Sequence, residues 1–177
     1  MHPIRNAAFD PISNNESSKF SNGVQVFVIL NDIRSMHNVG AIFRTADGAG
    51  VSKIYLTGYT PAPIDRFGRA VAEIAKVALG AEMSVPWEQR EITELITALK
   101  AEGMQIIAAE QDLRSVPYME LKPTGPVALI LGSEVGGVPA DVLKLCDAVI
   151  EIPMRGTKES LNVSVAAVVA LYQLIRD

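Results

Sequence analysis

Five short apolar runs rich in β-branched residues recur along the chain, separated by polar or amphipathic segments. Runs of this length and composition are typical of strands buried on both faces of a sheet. The predicted strands cover residues 24–30, 53–57, 104–109, 127–132 and 148–152. Because helical patterns alternate with them, the sequence predicts an α/β fold. We expect a parallel sheet with helices on both faces and ligands bound at the carboxyl ends of its strands.

The helices are predicted from the 3.6-residue period of apolar positions. The clearest covers residues 87–103, where apolar side chains recur from Ile92 to Leu99 and Gly103 supplies a stop. The last predicted helix is apolar almost all the way round, so either core packing or a second subunit must cover it. The remaining helices are predicted at 38–49, 69–78, 139–146 and 162–175.

The size of the chain, 177 residues, favours one domain with a substantial core. Residues 1–23 are polar and turn-rich, so we expect an N-terminal arm followed by a single domain over 24–177. No apolar run reaches the roughly 18 residues of a membrane helix, and the N-terminus lacks the apolar core of a secretory signal. These features predict a cytoplasmic protein with no membrane partner.

The net charge of −4 argues against non-specific nucleic-acid binding through overall charge. The charge is unevenly distributed, however, because residues 34–76 are net positive and residues 82–151 are acidic, which permits one basic face. One cysteine and two histidines make no zinc framework, so no metal site is predicted. Cys146 is interpreted as a small buried apolar residue.

Two C-terminal segments carry polar residues between a predicted strand and a predicted helix. In LILGSEVGG (129–137), Glu134 is either an ordinary charge near a helix start or part of a loop whose glycines let a ligand approach the backbone. In GTKESLNVSVA (156–166), Ser160 is either a helix N-cap or, with Asn162, part of a site. Neither segment has the spacing of a dinucleotide-binding or phosphate-binding loop.

A third segment, NDIRSMHNVGAIFRTADGAG, follows the first predicted strand. Its Arg44 lies among apolar residues, which predicts a partly buried guanidinium with an anionic partner. That partner is either Glu134, in an internal ion pair, or a phosphate or carboxylate ligand. The two interpretations are compatible.

These three segments, in this order, resemble the SpoU (TrmH-type) RNA 2'-O-ribose methyltransferases of the knotted SPOUT superfamily. Motif 1 corresponds to Asn31 followed by HNVGAIFRTADGAG, motif 2 to LILGSEVGGVPADVLKLCDAVIEIPM, and motif 3 to GTKESLNVSVAAVVALY. The segment KVALGAEMSVPWE is similar to the one that the family carries between motifs 1 and 2. Together these matches span most of residues 24–176.

The resemblance implies that S-adenosyl-L-methionine binds in a bent form within a deep trefoil knot formed by the C-terminal third. It also implies a homodimer built through the C-terminal and motif 1 regions. The implied catalytic residues are Arg44, Asn38, Glu134, Ser160 and Asn162, with Arg44 orienting the ribose and Asn38 supporting it. The implied cofactor-binding residues are Ala109, Leu131, Gly132, Ile152, Met154, Ser160, Leu161 and Asn162.

The expected substrate is the ribose 2'-hydroxyl of a transfer or ribosomal RNA. Only about 23 residues precede the first predicted strand, which leaves little room for a separate RNA-binding domain and slightly favours transfer RNA. Two alternatives stay open: a non-catalytic RNA-binding or assembly protein with the same fold, and methylation of a base. Intact Arg44, Glu134 and Asn162 count against the non-catalytic alternative, and the SLN segment with Arg44 favours ribose over base methylation.

Overall fold

The computed structural model describes residues 24–176, which form a seven-stranded sheet in the order β3-β2-β1-β6-β4-β7-β5. All six strand pairs are parallel. The central strands β1 and β6 are buried at every position, which explains their unbroken apolar sequences. The strands are β1 Val26–Asn31, β2 Lys53–Thr57, β3 Trp87–Gln89, β4 Gln105–Ala109, β5 Val116–Pro117, β6 Val127–Leu131 and β7 Ala148–Glu151.

Helices cover both faces of the sheet, as the sequence predicts. On one face, α1, α2, α3 and α6 pack over a cluster that includes Phe43, Ile74 and Leu171. On the other face, α4 and α5 pack over a cluster that includes Leu95 and Val142. The helices are α1 Met36–Gly48, α2 Ala72–Ala78, α3 Ala81–Ser84, α4 Ile92–Ala101, α5 Ala140–Leu143 and α6 Val163–Leu174.

Gly40 explains how α1 and α2 pack so closely. A Cβ atom at this position would lie 2.6 Å from the carbonyl oxygen of Ile74 in α2. Any side chain would therefore push the two helices apart. The glycine of the first motif is thus required by helix packing.

All five predicted strands are present, with ends that differ by one or two residues. The prediction of one helix over 87–103 is wrong at its start, because residues 87–89 form β3 and α4 begins only at Ile92. Trp87 is fully buried at the edge of the sheet and pairs with Ile54 of β2. Neither α3 nor the two-residue strand β5 is predicted from the sequence.

Two other expectations, the N-terminal arm and the trefoil knot, are not tested by the structure. The N-terminal arm lies outside the described residues, and the trefoil knot stays a prediction. None of the helices within residues 24–176 is long and apolar enough to cross a membrane. Cys146 is half-buried against the apolar cluster under α4 and α5, and its burial raises the pKa of the thiol to about 11.

Candidate active site

A cavity of about 570 Å³ opens at the carboxyl ends of β4, β6 and β7 and is bounded by the start of α6. This size is within the range of small-molecule sites, and its position is the one that a parallel sheet favours for ligands. Apolar and polar side chains line it in similar measure. The lining comprises Ala109, Glu110, Gln111, Leu131, Gly132, Ser133, Glu134, Val135, Gly136, Gly137, Ile150, Glu151, Ile152, Met154, Ser160, Leu161, Asn162, Val163 and Ala166.

The loop after β6 is held against β4 by the carboxylate of Glu110. One oxygen, Oε2, accepts a hydrogen bond from the backbone N–H of Val138 (2.8 Å), and the other accepts from the N–H of Gln111 (2.8 Å). Gly137 has a φ of +63°, and a Cβ atom there would lie 2.0 Å from Oε2 of Glu110. A residue with a side chain would therefore combine backbone strain with a direct clash.

The loop before α6 is tied to the same wall. The side chain of Gln111 donates a hydrogen bond to the carbonyl oxygen of Glu159 (2.5 Å). Asn162 is the N-cap of α6, and its Oδ1 accepts from the backbone N–H of Ser164 (2.9 Å). The alternative that Ser160 caps this helix is wrong, so Ser160 and Leu161 belong to the exposed loop that forms one wall of the cavity.

A chain of polar contacts joins the two cavity loops to the start of α1. The buried side chain of Asn38 donates from Nδ2 to Oε1 of Glu134 (2.8 Å) and accepts at Oδ1 from Nδ2 of Asn162 (3.2 Å). Glu134 also accepts hydrogen bonds from the backbone N–H groups of Arg34 (3.0 Å) and Ser35 (3.1 Å). Asn38 therefore contacts two residues that lie 96 and 124 positions later in the chain.

These contacts keep Glu134 ionised. Partial burial by itself would raise the pKa of this carboxyl, but the hydrogen bonds from Arg34 N–H, the Asn38 amide and Ser35 N–H outweigh burial and hold the pKa below its usual value. The interpretation of Glu134 as a charge at a helix start is wrong, because α5 begins six residues later, at Ala140. Its role here is to fix the loop that precedes α1.

Arg44 lies elsewhere, and the prediction that it is partly buried beside Glu134 is wrong. Its side chain is exposed and lines a second, shallower cavity between α1 and α6. Six helical residues separate it from Asn38, which places it about 9 Å farther along the axis and about 120° round the helix. Residues Ile42 and Phe43 turn into the core, whereas Arg44 follows the outer face of α1 together with Ala41, Thr45 and Gly48.

The electrostatic character of the main cavity is one-sided. Three carboxylates, of Glu110, Glu134 and Glu151, are part of its lining, and no lysine or arginine is among the lining residues. A cavity of this composition favours a ligand that carries positive charge.

The structure brings together all eight predicted cofactor-binding residues in this one lining. Of the predicted catalytic residues, Glu134, Ser160 and Asn162 line the cavity, Asn38 contacts two of these three, and Arg44 lies outside it. Sequence reasoning missed Glu110 and Glu151. Glu110 directly follows β4, and Glu151 is the last residue of β7. The rule that ligands bind at the carboxyl ends of parallel strands could therefore have found both.

Comparison with known families gives the context of this cavity. Residues 25–172 match the SpoU rRNA Methylase family. The chain belongs to this family. The match runs from β1 into α6 and therefore includes every loop that surrounds the main cavity.

Curated members of the SpoU family include enzymes named for two kinds of RNA. The chain is 35% identical over 160 residues to a 23S rRNA (guanosine-2'-O-)-methyltransferase of Ralstonia nicotianae, covering 88% of this chain and 60% of the relative. It is 34% identical over 154 residues to the tRNA (guanosine(18)-2'-O)-methyltransferase of Escherichia coli K12, covering 85% and 62%. The chain thus spans about three fifths of the length of each.

Solved structures of SpoU proteins have the same fold. An AdoMet-bound rRNA methyltransferase from Sinorhizobium meliloti superimposes with a TM-score of 0.76 at 31% identity, covering 84% of this chain and 55% of the other. The TrmH/SpoU tRNA modifying enzyme of A. aeolicus gives a TM-score of 0.73 at 29% identity, covering 84% and 73%.

Proposed function

We propose that this protein transfers a methyl group from S-adenosyl-L-methionine to a ribose 2'-hydroxyl of RNA. The observation that carries the proposal is the single cavity that unites all eight residues expected to bind the cofactor, in a chain of the SpoU family. The names of these relatives, which specify guanosine 2'-O-methylation, support the same reaction class.

The cavity fits this cofactor in volume, polarity and charge. Apolar side chains such as Leu131, Ile152 and Leu161 offer a surface for the adenine ring, and the backbone of the glycine-containing loop offers polar groups without steric hindrance. The cofactor carries a sulfonium and an ammonium group against one carboxylate, and the three glutamates of the lining match this net positive charge. When bound, it supplies an electrophilic methyl group.

The residues of the chain then position the acceptor. Asn162 is held by Asn38 and Ser164, and these hydrogen bonds engage one of its two amide protons within the described residues. The other proton is available to a ligand at the cavity wall. Holding two reactants in a near-attack geometry supplies a large part of the rate in a transfer of this kind.

We assign Arg44 the task of orienting the RNA and stabilising negative charge on it. A guanidinium is a poor base but binds phosphate in a bidentate manner. The exposed position of Arg44 on α1 leaves it accessible to a large substrate.

We propose further that the protein is a homodimer whose interface covers α1 and α6. Val165, Val168 and Tyr172 follow one face of α6 and are each at least 41% exposed. Val168 and Tyr172 line the second cavity together with Arg44 of α1. A second copy on this apolar face would remove Val165, Val168 and Tyr172 from water.

Transfer RNA and ribosomal RNA are both candidate substrates, because the relatives are named for both classes. The experiment below includes both.

The test is methyl transfer by the full-length protein. We would incubate it with S-adenosylmethionine labelled on the methyl group and with total transfer RNA or ribosomal RNA from cells lacking the gene. A ribose 2'-O-methyl group blocks alkaline hydrolysis at its own phosphodiester, so label should appear in alkali-resistant dinucleotides. Label in mononucleotides would indicate base methylation, and cofactor binding without transfer to either RNA would contradict the proposal.

Variants separate the roles. Arg44→Ala should abolish transfer while leaving the Kd for S-adenosylmethionine, measured by calorimetry, within about twofold of the wild type. Lys144→Ala, which removes an exposed cation at the C-cap of α5 outside both cavities, is the matched control and should retain normal transfer. Near-normal turnover by Arg44→Ala would refute the role assigned to this residue.

A further inference from the structure

A small hairpin between β2 and α2 presents an aromatic ring and two arginines to solvent. Residues Ile64 and Ala70 form an antiparallel bridge, and the turn between them contains Arg66, Phe67 and Arg69, all exposed. Phe67 is 66% exposed, which is uncommon for a phenylalanine in a soluble protein. We call residues 64–70 the RFGR hairpin.

The hairpin is ordered by one carboxylate. Oδ1 of Asp65 accepts hydrogen bonds from the backbone N–H groups of Phe67 (2.8 Å) and Arg69 (3.0 Å), while Oδ2 accepts from Nε of Arg69 (2.9 Å). Backbone bonds from Asp65 N–H to Arg69 O and from Gly68 N–H to Asp65 O close the turn. These hydrogen bonds fix the backbone of the turn and thereby the positions from which its side chains extend into solvent.

The guanidinium groups of both arginines lie close to the exposed ring. The Cζ atom of Arg66 lies 4.7 Å from the centroid of the Phe67 ring, and that of Arg69 lies 5.1 Å from it. The result is a group of three planar π-systems at the protein surface. Of these two arginines, Arg69 forms an ion pair with Asp65, whereas Arg66 has no ion-pair partner among the described residues. The charge of Arg66 is therefore available to a ligand.

The RFGR hairpin belongs to the same edge of the sheet as the main cavity. It follows the carboxyl end of β2, and the backbone N–H of Tyr59 at its base donates to Oδ1 of Asp32 (3.1 Å). Asp32 in turn begins the loop after β1 whose Arg34 and Ser35 N–H groups bind Glu134 of the cavity. Tyr59, which is 60% exposed, adds a second aromatic ring to this edge.

We propose that the RFGR hairpin binds an unpaired stretch of the RNA substrate, with a base stacked on Phe67 and phosphate held by Arg66. This inference rests on the proposed function, because it names how the substrate of the main cavity is recognised. Unpaired bases stack on aromatic rings and guanidinium planes, whereas a duplex hides its base faces. The hairpin also lies within residues 34–76, the net-positive part of an otherwise acidic chain.

The test is RNA binding by the full-length protein, measured by fluorescence anisotropy with a labelled 12-nucleotide single strand and with the duplex of the same sequence. Phe67→Ala should weaken single-strand binding about tenfold and duplex binding by less than twofold, whereas Phe67→Trp should restore it. Arg66→Ala should reduce the slope of log K against log salt by about 0.7, the value for one phosphate contact in single strands. Met119→Ala, which removes another exposed apolar side chain, is the control.

Unchanged single-strand affinity of Phe67→Ala, or an equal loss for single strand and duplex, would overturn the proposal. A protein partner for this hairpin would give the first of these results. Thermal denaturation of each variant checks that the fold is intact, and the exposure of Phe67 predicts an unchanged melting temperature. Absence of methyl transfer by the wild type would refute the proposed function alone, because the effect of Phe67→Ala is measured on binding.

Discussion

Asn38 is the residue on which we expect the main cavity to depend most, and its replacement by alanine tests that directly. The variant loses one hydrogen bond to an ionised carboxylate and one from a neutral amide. Because Glu134 is largely exposed, the first bond is taken at the low end of its range, about 1.5 kcal/mol, and the second at about 1 kcal/mol. The higher helix propensity of alanine returns about 0.6 kcal/mol, so the net loss is about 2 kcal/mol.

The assay is urea denaturation of Asn38→Ala, Asn162→Ala and the double variant. Asn162→Ala should also cost about 2 kcal/mol, since it loses the shared bond and the N-cap of α6. If the Asn38–Asn162 bond exists, the double-mutant cycle should give a coupling energy of about 1 kcal/mol. His37→Ala, an exposed neighbour on α1, should change stability by less than about 0.5 kcal/mol.

Binding of S-adenosylmethionine gives a second readout for Asn38. Because Asn162 stands on the cavity wall, releasing it should weaken cofactor binding by calorimetry in both single variants. A coupling energy indistinguishable from zero, or a loss of stability for Asn38→Ala no larger than that of His37→Ala, would refute the network as described.

Three further results are expected. Gly137→Ala should weaken S-adenosylmethionine binding more than tenfold because its Cβ meets Glu110, whereas Gly125→Ala, which lies outside the cavity lining and whose Cβ has no neighbour within 4 Å, should bind normally. Stability should fall between about pH 9 and 11, because the unfolded thiol of Cys146 loses its proton near pH 9 while the folded one keeps it to about 11. In urea titrations, Cys146→Ala should remove the fall that begins near pH 9 and leave the fall above about pH 10 that follows from the pKa of Tyr55, which burial raises to about 12. Val168→Glu should yield monomers in sedimentation experiments, and a persistent dimer would contradict the proposed interface.

The sequence predicts the buried strands well, because continuous apolar runs need no tertiary information to identify them. It fails at β3, where only pairing with β2 distinguishes Trp87 from the start of the helix that follows. It also fails for the surroundings of Arg44. Apolar neighbours in sequence indicate burial only when they share a helix face, and Ile42 and Phe43 do not share one with Arg44.

The contacts within the candidate site could not be predicted from spacing in the sequence, although the carboxyl ends of the parallel strands indicate where the site lies. No spacing rule connects Asn38 with Asn162, since the two residues meet only after the sheet has assembled around β6. Glu110 illustrates a second reason why contacts in the site cannot be predicted from the sequence. Its contacts with the backbone of the loop after β6 depend on a close approach that only the glycine at 137 permits, and neither residue is informative alone.

The adjacency of β1 and β6 has a consequence for how the chain reaches its native state. Val28 pairs with Leu129, roughly 100 residues later, so one edge of β1 stays open until β6 has been synthesised. Such long-range pairing gives a high contact order, which slows folding and prolongs the exposure of unpaired, aggregation-prone strand edges. Because Leu131 at the end of β6 lines the main cavity, this cavity cannot form during translation before β6 has been synthesised. We expect its final assembly to follow release of the last helix from the ribosome.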